Sequence, residues 1–197
     1  MTITWRSSVL LLAALAAAAC SPQAPKFRST DITGADFGKE LALTGHDGKP
    51  RTLADFRGQA IVLFFGYTHC PDVCPATLAD MAGVMKKLGR EAERVQVLFV
   101  TLDPERDTPA VLRQYLGSFS KDFVGLFGSP EALAPLLHSL AANAMRQAVP
   151  GGSYQMAHSA TLYLLDTRGR LAAVYTPPLS SAILIADLRT VAQASLL

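Results

Sequence analysis

Cysteine is scarce in this chain: its 197 residues carry only three, at positions 20, 70 and 74. So few cannot make a disulfide-stapled scaffold, and a chain of this length buries an ample core as one domain without such help. No C-x-x-C-H occurs, which excludes a c-type haem site. A structural zinc site wants four protein ligands, and the pair at 70 and 74 cannot supply them. Charge is sparse too: charged residues make up 17% of the chain and the net charge is +2. No basic cluster alternates with aromatics, so nucleic acid is excluded as a partner. There is no internal repeat, and the apolar stretch Val9 to Ala19 is too short for a comfortable transmembrane helix.

That stretch follows Arg6 and runs through small residues into Cys20, so residues 1–19 read as a signal peptide. Plain cleavage after an Ala-x-Ala site is the simpler reading. A cysteine directly after Ala17-Ala18-Ala19 and before Ser21-Pro22-Gln23-Ala24-Pro25 looks instead like a bacterial lipoprotein signal, with Cys20 lipidated and first in the mature chain. The position three before it is Ala17 where Leu is usual, although Leu15 lies nearby. Lipidation of Cys20 also removes the odd thiol and leaves one pair, Cys70 and Cys74. Residues 20–35, rich in Ser, Pro, Thr and Gly, then form a lipid-anchored tether, and 36–197 form the folded domain.

Within the domain, Leu41 to Thr44 reads as a short strand ended by the turn His46 to Lys49, and Leu53 to Gly58 as a one-turn helix. Ala60 to Phe65 is an unbroken apolar run, as in a strand buried on both faces. The pattern then predicts a helix from about Pro75 to Leu88 and a second apolar strand, Val95 to Leu102. Asp107 or Thr108 can cap the next helix, with Pro109 first in it and an end near Phe119. A strand at Val124 to Phe127 precedes a helix from Ser129 to about Ala142, which Pro135 must kink or shift. Thr161 to Leu165 and Leu171 to Tyr175 form a hairpin, and a last helix from Ser181 lines up Ile183, Leu184, Leu188 and Val191. Strands alternating with helices and closing on an antiparallel hairpin give an α/β three-layer sandwich with a mixed central sheet and flanking helices.

Thiols on the first turn after a buried strand, in that setting, look like the thioredoxin superfamily. A helix start favours an anion, so thiolate is expected there. The spacing is C-x-x-x-C rather than C-x-x-C, which puts the sulfurs about one helical turn apart. They can close into a disulfide in an oxidised form, or admit a soft metal between them. Copper(I) accepts two thiolates and one imidazole. Of the four histidines, His46 lies in an exposed polar turn and reads as solvated, while His138 reads as a packing or surface residue. His69 adjoins Cys70, but adjacent side chains usually point apart. His158 precedes the closing hairpin, in a loop that in a thioredoxin-like fold faces the cysteine-bearing helix start. It is the favoured third ligand. Met156 offers a thioether on the same loop, with filler of the core as its plainer role.

Cys70-Pro71-Asp72-Val73-Cys74-Pro75, together with Leu102-Asp103-Pro104-Glu105-Arg106-Asp107-Thr108-Pro109 and Thr30 to Phe37, resembles the Sco/SenC family over residues 30 to about 190. The resemblance implies a membrane-tethered, thioredoxin-like copper protein whose domain faces the periplasm of the bacterial cell envelope. It implies copper, as copper(I) and also copper(II), held by Cys70, Cys74 and His158. It further implies delivery to the binuclear copper centre of cytochrome c oxidase subunit II, or to another copper or thiol acceptor. One departure stands out: the family usually has Asp before this histidine, where the chain has Ala157. Asp72 reads as a solvated helix-start carboxylate, and Asp103 and Asp107 as structural through strand-end and helix-cap hydrogen bonds.

Two functions follow. The first is a metallochaperone rather than an enzyme. The second is an exported thiol-disulfide oxidoreductase using Cys70 and Cys74 as its redox pair. A peroxidase of the same superfamily lacks its characteristic sequence here, and a purely structural bridge across so short a loop constrains the unfolded chain little.

Overall fold

A computed structural model of the chain describes residues 26–32, 41–176, 178 and 180–194. The expected signal peptide, Cys20, most of the tether and residues 33–37 of the N-terminal motif lie outside the described residues. In chain order the strands are β1 (Thr30–Asp31), β2 (Ala42–Gly45), β3 (Pro50–Thr52), β4 (Ala60–Gly66), β5 (Val95–Thr101), β6 (Val124–Phe127), β7 (Ala144–Ala148), β8 (Tyr154–His158), β9 (Leu162–Leu165) and β10 (Leu171–Tyr175). The helices are α1 (Val73–Leu88), α2 (Pro109–Gly117), α3 (Pro130–Ser139) and α4 (Ser181–Ala194). Eight strands form one sheet in the order β1-β10-β9-β4-β5-β6-β2-β3, parallel across β4, β5 and β6 and antiparallel where β9 meets β4.

The apolar runs explain the layering. Every residue of β4 is buried, because its two faces serve two cores. Val62 and Phe64 join Val97 and Phe99 under Leu78, Met81 and Val84 of α1, Leu112 and Leu116 of α2, and Leu184, Leu188 and Val191 of α4. Ile61, Leu63 and Phe65 join Leu98 and Val100 under Leu133 and Leu136 of α3, with Phe56 alongside. This is the three-layer sandwich with a mixed central sheet that the element order implies, with the cysteine pair at the helix start where the thioredoxin-like resemblance places it.

Several elements differ from the sequence reading. α1 begins at Val73, two residues early, so Cys74 lies inside its first turn. Thr108 caps α2 by accepting a hydrogen bond from the Val111 amide, which leaves Asp107 to bond elsewhere. α3 runs through Pro135, whose ring sits on the exposed side, and ends at Ser139. β1, β3 and the hairpin β7–β8 carry no apolar run or alternation that would announce them. Among the described residues, β7 and β8 pair only with each other.

β1 lies within the stretch read as tether. Its anchor is Asp187 of α4, fully buried, which accepts hydrogen bonds from the Arg28 amide (2.8 Å), the Ser29 amide (3.1 Å) and hydroxyl (2.8 Å), and the Tyr175 hydroxyl (2.9 Å). Asp187→Asn keeps the shape but turns two acceptor positions into donors facing donors. A loss of about 2–3 kcal/mol is expected, read as a lower urea midpoint with an unchanged m-value.

Candidate metal centre

β4 delivers the chain to Gly66, and the cysteine loop starts there. A Cβ on Gly66 would stand 2.7 Å from the Phe99 ring and 3.0 Å from the Cys74 sulfur, so the absence of a side chain lets that sulfur lie over the strand end. Cys74 is fully buried and Cys70 half-buried, and both are free thiols. The Cys74 amide, at the open N-terminal end of α1, donates to the Cys70 sulfur at 3.4 Å. The helix start thus serves the outer sulfur directly.

The inner sulfur departs from expectation. Burial pushes the Cys74 thiol far above its ordinary pKa, and contact with Cys70 adds to the effect. Desolvation outweighs the helix dipole at this position, because a partial charge at a helix end cannot replace water around a buried anion. A metal ion entering here must therefore displace the Cys74 proton.

His158 ends β8, a strand rather than the loop the sequence suggested. Its Nε2 lies 3.7 Å from the Cys74 sulfur and its Nδ1 lies 3.0 Å from the carbonyl oxygen of Ser159. A carbonyl only accepts, so that contact places the N–H at Nδ1 and turns the Nε2 lone pair toward the sulfurs. The edges of Phe64 and Tyr67 box the ring, with centroids 6.3 and 6.0 Å away. The two sulfurs and the imidazole nitrogen all lie within 4.8 Å of one another, the only such donor group among the described residues. Cys70, Cys74 and His158 would hold one ion between them, the thiolates supplying soft donors and the imidazole a nitrogen.

The other sequence candidates lie elsewhere. His46 is not solvated: its Nδ1 accepts the Gly125 amide at 2.9 Å and joins β2 to β6. His69 is exposed and faces Thr68 and Asp107 rather than the sulfurs. His138 is exposed on α3, and Met156 fills the core between both clusters. Asp72 is exposed at the α1 N-terminus and makes no cap bond. Asp107, buried, accepts the Thr68 amide (3.0 Å) and the hydroxyls of Thr68 (2.5 Å) and Thr101 (2.5 Å), and so ties the cysteine loop to β5. Asp103, also buried, binds the Arg106 guanidinium and accepts the Tyr154 hydroxyl at 2.8 Å. Sequence reasoning missed Tyr67, Tyr154 and Arg106. The one signal for them was the aspartate-rich motif after β5, whose contacts could not be traced without the β7–β8 hairpin.

A family model described as SCO1/SenC matches residues 29–193. Over 155 residues the chain is 36% identical to "Protein SCO2 homolog, mitochondrial" of Mus musculus. That match covers 76% of this chain and 60% of the relative, so the chain spans less than two thirds of the mouse protein's length. The structure of Bradyrhizobium japonicum ScoI with copper bound superposes with a TM-score of 0.73 at 37% identity, covering 79% of this chain and 99% of that one. The solution structure of apo Sco1 from Thermus thermophilus gives 0.74 at 36% identity, covering 87% and 98%.

Proposed function

The chain belongs to the SCO1/SenC family, and from that premise we propose that it is a copper metallochaperone holding its cargo between Cys70, Cys74 and His158. The carrying observation is the convergence of two sulfurs and one imidazole lone pair within 4.8 Å. Soft thiolates select copper(I), and imidazole suits copper in either state. The similar ScoI of Bradyrhizobium japonicum has been described with copper bound. Cys70 is the more open sulfur, so an acceptor thiolate enters there and takes the metal by stepwise ligand exchange. The acceptor is the binuclear copper site of cytochrome c oxidase subunit II or a similar copper or thiol protein. Lipidation of Cys20 after removal of residues 1–19 would hold the domain at a membrane on the periplasmic side.

The test is titration of the reduced domain, beginning after Pro25, with copper(I) against a chelator of known affinity. One tightly held ion per chain is the expected result, and absent or weak binding would overturn the reading.

The burial difference between the sulfurs supports a second reading. Cys70, half-exposed with an amide on its sulfur, can attack a substrate disulfide, and Cys74 behind it can resolve the mixed disulfide. The substrate gains two thiols as the Cys70–Cys74 pair is oxidised. Disulfide reduction that needs no copper and survives His158→Ala would favour this role.

A further inference from the structure

The third ligand rides on an isolated element. β7 and β8 form a two-stranded sheet separate from the main one, and a lone hairpin is marginal in water. Something outside the hairpin must therefore fix where His158 stands. Tyr154, Met156 and His158 share one face of β8 by the two-residue period of a strand. At Tyr154 that face is clamped. The Arg106 guanidinium stacks on the Tyr154 ring at 3.7 Å and that of Arg146 at 3.9 Å. The Tyr154 hydroxyl donates to buried Asp103, its carbonyl accepts from Arg106 Nη1 at 3.2 Å, and Arg146 pairs with Glu105 at 2.6 Å. Three residues of the clamp, Asp103, Glu105 and Arg106, belong to the same short loop as Asp107, which holds Thr68 beside the cysteines.

We propose that Tyr154 is a positioning residue for His158: gripped by the loop 102–108, it sets the histidine hairpin against the cysteine loop and so decides whether the site offers three donors or two. The inference rests on the copper reading of the site. It also explains the aspartate-rich motif, since one loop holds both ligand-bearing segments in mutual register. Copper(II), which needs the imidazole, is the sensitive reporter. Copper(I), which two thiolates can hold, is the insensitive one.

The experiment compares copper(II) and copper(I) affinities of Tyr154→Leu and Tyr154→Phe with those of the unaltered protein, alongside amide exchange of residues 144–158 in the metal-free form. Tyr154→Leu is expected to lower copper(II) affinity about tenfold or more, within the range for residues that orient a ligand, to alter the copper(II) EPR spectrum, and to speed exchange across the hairpin. Copper(I) affinity stays within about threefold, because the thiolates are untouched. Tyr154→Phe, which loses only the bond to Asp103, shows the same change to a smaller degree and decides the matter if the leucine variant does not fold. Asp187→Asn serves as control: it lowers stability far from the site and leaves the ratio of the two affinities alone. An unchanged ratio in a folded Tyr154 variant, or a parallel fall for both ions, overturns the proposal. Failure of the unaltered protein to bind either ion removes the copper reading and the role of Tyr154 with it, a result distinct from failure in the variants alone.

Discussion

Cys74→Ser is expected to lower copper(I) affinity on the order of a thousandfold, about 4 kcal/mol, while His158→Ala lowers it by less than about tenfold. Donor chemistry sets this order. Copper(I) is soft and content with two thiolates, so losing one sulfur removes half of its essential ligands, whereas losing the imidazole leaves both. Copper(II) reverses the order of importance for the histidine, because a harder ion gains more from nitrogen and from a third ligand. His158→Ala should therefore cost copper(II) on the order of a hundredfold, about 3 kcal/mol, with loss of imidazole nitrogen from the EPR spectrum. The fold survives the serine exchange, since a hydroxyl at position 74 can donate to the Nε2 lone pair that now faces the sulfur at 3.7 Å. Competition titrations with chelators selective for each ion measure these three affinities. Equal retention of copper(II) and copper(I) by His158→Ala would remove that residue from the site. Full retention of copper(I) by Cys74→Ser would remove the pair.

The buried strands and the cysteine pair were legible because both leave strong local marks. An unbroken apolar run such as Ala60 to Phe65 has one sensible place, between two cores, and a thiol pair just beyond it falls at a helix start. The hairpin β7–β8 was not legible. Its strands, Ala144–Ala148 and Tyr154–His158, mix exposed and half-buried positions without alternation, since they form a separate two-stranded sheet and draw support from cation–π stacking and a buried carboxylate. Such contacts join residues some fifty positions apart and leave no periodicity. For the same reason His158 could be named from its place in the fold but not from its own neighbours. From sequence, Asp103 and Asp107 read as structural through strand-end and helix-cap hydrogen bonds; the fold keeps local partners for both, Arg106 and Thr101, and adds long-range ones, Tyr154 and Thr68. The Cys74 thiol shows the same limit: its neighbours in sequence suggested a thiolate, and only its depth in the fold reverses that.

The metal-free protein is expected to lose stability steeply above pH 10. Burial pushes the phenols of Tyr67, Tyr163, Tyr115 and Tyr175 above their ordinary value, and does the same to the Cys74 thiol; at Tyr175 the hydrogen bond to Asp187 adds to the rise. In the unfolded chain a thiol ionises near pH 8.5 and a phenol near 10. Below these values both states hold the same protons and stability is fully present. As pH rises beyond them, the unfolded chain sheds protons that the folded one retains, and stability falls until the folded groups also ionise. Each group costs about 1.4 kcal/mol per pH unit across that window. Several together consume much of the roughly 5–15 kcal/mol that holds a domain folded, so the urea midpoint should collapse between about pH 10 and 12. Tyr115→Phe isolates one contribution. The Tyr115 hydroxyl is buried without a hydrogen-bond partner among the described residues, beside the Phe99 and Phe119 rings and close enough to the cysteines and Asp107 for their charges to act on it. Removing it at pH 7 should leave stability unchanged or raised, since no bond is lost and an unsatisfied polar atom is relieved. At pH 11 the variant should exceed the unaltered protein by about 1 kcal/mol more than it does at pH 7. Urea denaturation of both proteins from pH 7 to 12 gives the comparison directly; parallel curves across that range would mean that Tyr115 ionises as readily folded as unfolded.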